Sequence, residues 1–178
     1  LIWGMAFVPA RMAELSFSAL FEFVRTAVTS SLMHADFAHL AVNMVWLAAF
    51  GAPLAQRIGP ARFAAFWLLT AFCAALLHFL THIGDPSPMV GASGVVSGAM
   101  GAAARFGFAA SGRRGPRAFT GAPLTMGEAV RNKSVISFIA VWAVINFVSG
   151  AGVLDLGQGG ASIAWEAHVG GFLAGFFG

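Results

Sequence analysis

Five stretches of this chain, 37–54, 61–80, 93–108, 134–149 and 162–178, are apolar over most of their length and carry almost no charge. A helix needs about 20 predominantly apolar residues to cross a bilayer, and these stretches approach that length one after another. The chain is 58% hydrophobic and 10% charged, whereas a soluble domain carries about 25% charged residues. With a mean hydropathy of +0.81, it has more apolar surface than a soluble core of this size can hide. Inside a bilayer only helices and closed barrels satisfy every backbone group. A barrel shows alternation with a period of two; here Ala, Leu and Gly abound without it. The expected fold is therefore an all-α polytopic membrane protein forming one domain, 1–178. Residues 1–9 are too short to span and read as the tail of a first helix, which makes six. They lack the basic flank and cleavage site of a signal peptide. The chain starts at Leu1 and stops at Gly178 inside an apolar stretch, so the first and last helices are expected to be truncated.

Charge fixes the expected orientation. Arg57 and Arg62 lie between the second and third helices. Arg105, Arg113, Arg114, Arg117, Arg131 and Lys133 surround the fourth-to-fifth connection, so these two connections hold eight of the ten basic residues. Glu14, Glu22, Asp36, Asp85, Asp155 and Glu166 lie in or beside the opposite connections, and only Glu128 breaks the pattern. Basic connections stay in the cytoplasm. The net charge of +3 reflects this sidedness, and the arginines are not read as a nucleic-acid site. The segment 11–31 interleaves Leu15, Phe17, Leu20, Phe21 and Val24 with Glu14, Glu22 and Arg25. It reads either as a helix lying in the membrane interface or as a surface loop helix.

Depth follows from helical rise. Ser93 is twelve residues before Arg105, roughly 18 Å above the basic end of its helix at about 1.5 Å per residue. Asn43 is fourteen residues before Arg57, roughly 21 Å up by the same rule, and His39 is one turn higher. His168 follows Glu166 by two residues and enters from the acidic side. Four polar residues from three helices thus share one layer, nearer the outer face of a core about 30 Å thick.

That layer has the chemistry of acyl transfer. A serine needs a base and donors for the oxyanion. Ser93 supplies a hydroxyl, with Gly91 and Gly94 permitting a tight turn and close approach of a substrate backbone; the same hydroxyl also suits a helix cap. His168 supplies a base, and ionisable groups at membrane depth are functional by default. Gly171 and Gly175 fall on its face, and Ser93, Ser97 and Gly101 give the other helix a matching small face. Small residues let helices approach closely in lipid, bringing Ser93 toward His168. No third acid is evident: Glu166 projects to another side and Asp155 lies in a loop, so a Ser–His dyad without a carboxylate is expected. His39 and Asn43, spaced i, i+4 on one face, suit either oxyanion donors, together with the Ser93 amide, or interhelical glue.

The remaining polar groups carry less. Asn146 reads as a helix–helix contact, His34 and Asp36 as organisers of the loop before the second helix, and His78 and His82 as interfacial residues. The spacing of five sets His34 and His39 on different helix faces. No His-Glu-x-x-His pattern is present, so no metal and no cofactor are expected. Cys73 reads as a small core residue without a disulfide partner.

Three elements resemble the rhomboid family of intramembrane serine proteases: Leu32-Met33-His34-Ala35-Asp36-Phe37-Ala38-His39-Leu40-Ala41-Val42-Asn43-Met44, Gly91-Ala92-Ser93-Gly94, and Ala167-His168-Val169-Gly170-Gly171. The resemblance runs from about Ser31 to the end. It implies a six-helix bundle open to water from the outer face, with Ser93 as nucleophile, His168 as base, and His39, Asn43 and the Ser93 amide as oxyanion hole. It implies cleavage of single-span, membrane-anchored substrates in or near their transmembrane segments. Two features depart from it. Ser97 stands where some members carry a tyrosine stacked on the base, so another aromatic must support His168 or the imidazole is held less tightly. Segment 11–31 has no tryptophan, where some members have a Trp-Arg pair. The alternatives are a catalytically silent relative that binds membrane clients, and a small transporter, against which no internal repeat is seen. The compact plan and arginine-rich inner loops point to a bacterial cytoplasmic membrane.

Overall fold

The computed structural model describes residues 4–14, 16–108, 122–152 and 163–178. Arg113, Arg114, Arg117 and Asp155 of the charge argument, Leu15, and the start of the last apolar stretch at 162 lie outside the described residues. The described chain is almost wholly helical; its β pairing is an isolated bridge between Phe7 and Met89. That bridge corrects the expectation for 1–9. Val8 precedes Pro9 and is extended, with φ −128° and ψ 106°, as the pyrrolidine ring demands of its predecessor. Phe7 exchanges both backbone hydrogen bonds with Met89, at 3.1 and 2.8 Å, so the described part of this stretch, 4–9, is a strap across the loop of 82–92 and not the tail of an α-helix.

Helix α1 (Phe17–Ser30) is capped by Ser16, whose hydroxyl accepts from the Ala19 amide at 3.1 Å. Ala19, Phe23 and Ala27 turn inward and join Phe7, Met12 and Ala75 in one apolar cluster. Phe17, Leu20, Phe21 and Val24 remain exposed on another face. A helix with an apolar stripe left uncovered is the pattern of one lying in an interface, and this favours the interfacial reading of 11–31.

Helix α2 (Phe37–Trp46) starts at Asp36, whose carboxylate accepts from the His39 amide at 2.8 Å. It continues through a π-helical turn, Leu47–Gly51, into α3 (Ala52–Ile58). Pro53 cannot donate to the ladder, and the widened turn ahead of it absorbs the lost bond. Gly59, with φ +82°, reverses the chain, and Pro60 opens α4 (Pro60–Thr81). The other helices are α5 (Ser93–Phe106), a short α6 (Met126–Ala129), α7 (Lys133–Gly150) and α8 (Trp165–Phe177).

Three of the described helical runs, Phe37–Ile58, Pro60–Thr81 and Lys133–Gly150, are long and apolar enough to cross a membrane. Their outward faces carry exposed Val45, Leu68, Leu69, Val144 and Phe147, the surface that lipid solvates in place of water. The protein is an integral membrane protein. Helices α5 and α8, 14 and 13 residues long, are shorter and lie at the centre. On α5, Val95, Ala99, Ala102 and Ala104 are almost fully buried.

The central pair packs backbone against backbone. A Cβ built on Gly171 would strike the Gly94 carbonyl, and one on Gly175 would strike the Gly98 carbonyl one turn on. A Cβ on Gly170 would strike the Cys73 carbonyl of α4. Without a hydrophobic drive between helices in lipid, such close van der Waals contact is what holds them together. At the basic end Arg105 closes the bundle, donating from Nε to the Leu124 carbonyl at 3.0 Å and from Nη1 to the Phe176 carbonyl at 3.1 Å.

Candidate active site

Ser93 is the first residue of α5. The cap position is Ala92, and no side chain caps the helix, so the Ser93 hydroxyl is not used as a cap. The turn before it is held by the Gly91 amide, which donates to the Ser30 carbonyl at 3.0 Å. Gly91 has φ +132°, a conformation that side chains rarely adopt. A Cβ there would also lie 2.9 Å from His39 Nε2 and 3.5 Å from Ser93 Oγ. Both backbone and space at this position require glycine. A Cβ on Gly94 would lie 2.6 Å from that of Ala74, so the second glycine of the turn seats α5 on α4.

The packing of α5 on α8 brings Ser93 Oγ to 2.8 Å from His168 Nε2. The other ring nitrogen, Nδ1, lies 2.6 Å from Asn146 Oδ1 on α7. Asn146 Nδ2 donates to the Trp142 carbonyl at 2.8 Å, so its amide oxygen is the atom left to face His168. That oxygen can only accept. It therefore fixes the proton on Nδ1 and leaves the Nε2 lone pair toward the hydroxyl. Of the two alternatives left by the missing tyrosine, another aromatic or a looser ring, the described residues show neither as such: the imidazole is held by the hydrogen bond it donates to a third helix. Asn146 is buried, and the helix contact expected of it is made with the His168 ring. Glu166 turns away from His168, its Oε1 3.9 Å from His82 Nε2.

His39 and Asn43 are both buried on the inner face of α2. The Ala35 amide donates to His39 Nδ1 at 3.4 Å, which leaves Nε2 as the protonated nitrogen beside Gly91. Asn43 Nδ2 donates to the His39 carbonyl at 2.9 Å, committing one of its two amide hydrogens. As expected, His34 sits in the loop before α2, which begins at Phe37; a loop residue is not bound by helix faces, and its ring meets that of His39 edge-on with centroids 5.1 Å apart. Burial and the neighbouring His39 hold the His34 imidazole below the usual histidine range.

Two cavities meet at these groups. One, of about 360 Å³, is lined by His39, His78, His82, Asp85, Glu166 and the Ser93–His168 pair. Asp85 at its rim is held below the usual carboxylate range, first by the Ser87 backbone amide and then by the Ser87 side chain. The other, of about 260 Å³, lies between α2, α5 and α7. Its walls are Val42, Trp46, Phe50, Met100, Val141 and Ile145, with Asn43, Ser93, Ser97, Asn146 and His168 at its inner end. Ser97 is buried there, in the place where the resemblance leads one to look for a tyrosine. Val42, Val141 and Ile145 are also exposed, so this cavity gives onto the lipid-facing surface.

The fold and these groups define a helical membrane protein with a half-buried hydroxyl–imidazole pair among its helices. A family model, the Rhomboid domain, matches residues 22–178; the chain belongs to the rhomboid family. No curated protein matches the sequence.

Proposed function

We propose that this protein is an intramembrane serine endopeptidase that cleaves single-span, membrane-anchored proteins in or near their transmembrane segments. The observation that carries this reading is the chain Ser93 Oγ, His168 Nε2, His168 Nδ1, Asn146 Oδ1, linked at 2.8 and 2.6 Å. Ser93 donates its proton to Nε2 as Oγ attacks the scissile carbonyl. The imidazolium that forms keeps its Nδ1–H on Asn146. Nε2 then returns the proton to the leaving amine, and a water, deprotonated in turn by His168, hydrolyses the Ser93 ester.

The tetrahedral oxyanion is stabilised by the Ser93 amide at the free end of α5, where first-turn N–H groups lack intrahelical partners. His39 Nε2 and the uncommitted Asn43 amide hydrogen complete the donor set. The apolar cavity between α2 and α7 suits an unwound transmembrane segment, and the polar cavity suits water. The acidic end, with Asp36, Asp85 and Glu166, lies at the polar cavity. Arg57, over the Phe106 ring at 4.3 Å, and Arg105 lie at the opposite end. By the positive-inside rule the site opens outward, to the periplasmic or extracellular side of a bacterial cytoplasmic membrane.

The test is cleavage of a reconstituted single-span substrate by the purified protein beside Ser93→Ala and His168→Ala variants of equal thermal stability. Cleavage lost in both variants supports the reading. Cleavage that persists in Ser93→Ala overturns it, and no cleavage by any form across several substrates favours a silent client-binding relative.

A further inference from the structure

His78 and His82 lie one turn apart at the end of α4, their rings stacked with centroids 4.4 Å apart. Glu166 reaches them from the first turn of α8. One donor atom from each of the three lies within 4.8 Å of the others. The contact between His82 Nε2 and Glu166 Oε1, at 3.9 Å, is too long for a hydrogen bond. His82 Nδ1 is engaged locally, with Thr81 Oγ1 at 2.9 Å, which leaves Nε2 facing the carboxylate. His78 is 8% exposed, and its Nδ1 is buried with no hydrogen-bond partner among the described residues. A buried imidazole nitrogen without a partner is costly.

We propose that His78, His82 and Glu166 bind a divalent transition-metal ion of the zinc class at the mouth of the polar cavity. Two imidazoles and a carboxylate are a zinc donor set that leaves one position open. Ligand atoms about 2.0–2.1 Å from a tetrahedral ion stand about 3.3 Å from each other, so the three groups close by side-chain rotation of an ångström or so around it. His82 and Glu166 keep side-chain exposures of 30% and 15%, which gives an ion a route in. The sequence has no His-Glu-x-x-His run on one helix, the pattern behind the expectation of no metal; here the carboxylate comes from another helix. The ion sits two residues from His168, in the cavity that also reaches Ser93. Its consequence, which rests on the protease reading, is inhibition: the ion closes the path of water to the dyad.

The binding test does not depend on activity. The purified full chain in detergent is titrated with zinc chloride against a fluorescent chelator, and with cobalt chloride followed by its visible absorption. The expected result is one equivalent bound, with a tetrahedral cobalt spectrum. Losing a ligand costs at least what losing an outer-shell partner does, about 10- to 100-fold in affinity. His82→Ala and Glu166→Gln should each show that loss, and Ser93→Ala should not. Absence of saturable binding overturns the proposal. So does binding that survives in His82→Ala but disappears in His168→Ala, which would put the ion on the catalytic imidazole. In the cleavage assay, zinc should inhibit the wild type and fail to inhibit Glu166→Gln at the same concentration. Equal inhibition of both removes the regulatory consequence while leaving the binding result to stand on its own, and a protein that never cleaves leaves the chelator titration unaffected.

Discussion

Replacing Asn146 with alanine removes the acceptor 2.6 Å from His168 Nδ1 without touching Ser93 or the imidazole. In the ground state the ring is neutral, and a hydrogen bond between neutral groups contributes about 0.5–1.5 kcal/mol. In the transition state the ring is an imidazolium, and a bond to a charged group contributes about 1.5–3 kcal/mol. The difference, about 1–2 kcal/mol, is lost from transition-state stabilisation alone. At about 1.36 kcal/mol per tenfold in rate, that predicts a kcat about 5- to 30-fold lower with KM little changed. Loss of tautomer control adds to it, because a ring with its proton on Nε2 cannot accept from Ser93. Asn146→Asp retains an acceptor at the same place and should stay closer to wild type. The assay is single-turnover cleavage of a reconstituted substrate, with the rate of Ser93 labelling by a fluorophosphonate as a readout independent of substrate docking. Both are measured well below the thermal transition of each variant. A folded Asn146→Ala protein with wild-type kcat and labelling rate would refute the claim that α7 orients the base.

Two further perturbations separate chemistry from packing. Asn43→Ala should lower kcat by about 10²–10³-fold, the usual cost of one oxyanion donor, while Ser93 remains hydrogen-bonded to His168; an unchanged kcat in a folded variant assigns Asn43 to interhelical contact alone. Gly171→Ala drives a methyl into the Gly94 carbonyl and should cost about 1–3 kcal/mol of overpacking, read as a lower thermal midpoint and lost cleavage, whereas Gly127→Ala on α6, with nothing within 4 Å, should be neutral.

The layer of polar residues was legible because helical rise turns sequence distance into depth. Ser93 and Asn43 count up from Arg105 and Arg57 to the same level. The rule extends to Asn146, thirteen residues after Lys133 and roughly 20 Å above the basic end. Its depth is thus in the sequence, but its partner is not. Whether Asn146 faces His168, another helix or lipid depends on the rotation of α7, and α7 has apolar residues on every side. The His78–His82–Glu166 group is hidden for a related reason: two of its members share a helix, and the third joins only when α8 docks on α4 through Gly170. The segment 4–9 misleads in the opposite way. Its apolar composition suits a helix, but Pro9 holds Val8 extended, and Phe7 pairs with Met89 instead.

Hydrolysis inside a membrane must reconcile a substrate that is apolar with a co-substrate that is water. On the protease reading proposed above, the two cavities divide that requirement between them. The space lined by Val42, Trp46, Val141 and Ile145 has room for a side chain or two of an unwound helix, and its aliphatic walls cannot replace the hydrogen bonds that the unwound backbone gives up. Those bonds must be remade at the inner end, where Asn43, Ser93 and His168 stand. The polar space approaches the same hydroxyl from the other side, past His82 and Glu166. Ser93 is half-buried between them, reachable from both. The glycine contacts between α5 and α8 are what make this possible. Only backbones packed without intervening side chains bring a serine at one helix start and a histidine near another to 2.8 Å while leaving space on either side of the pair. The chemistry of the site and the small-residue packing of the bundle are therefore one constraint, and a substitution that widens the α5–α8 contact should disable the dyad before it unfolds the protein.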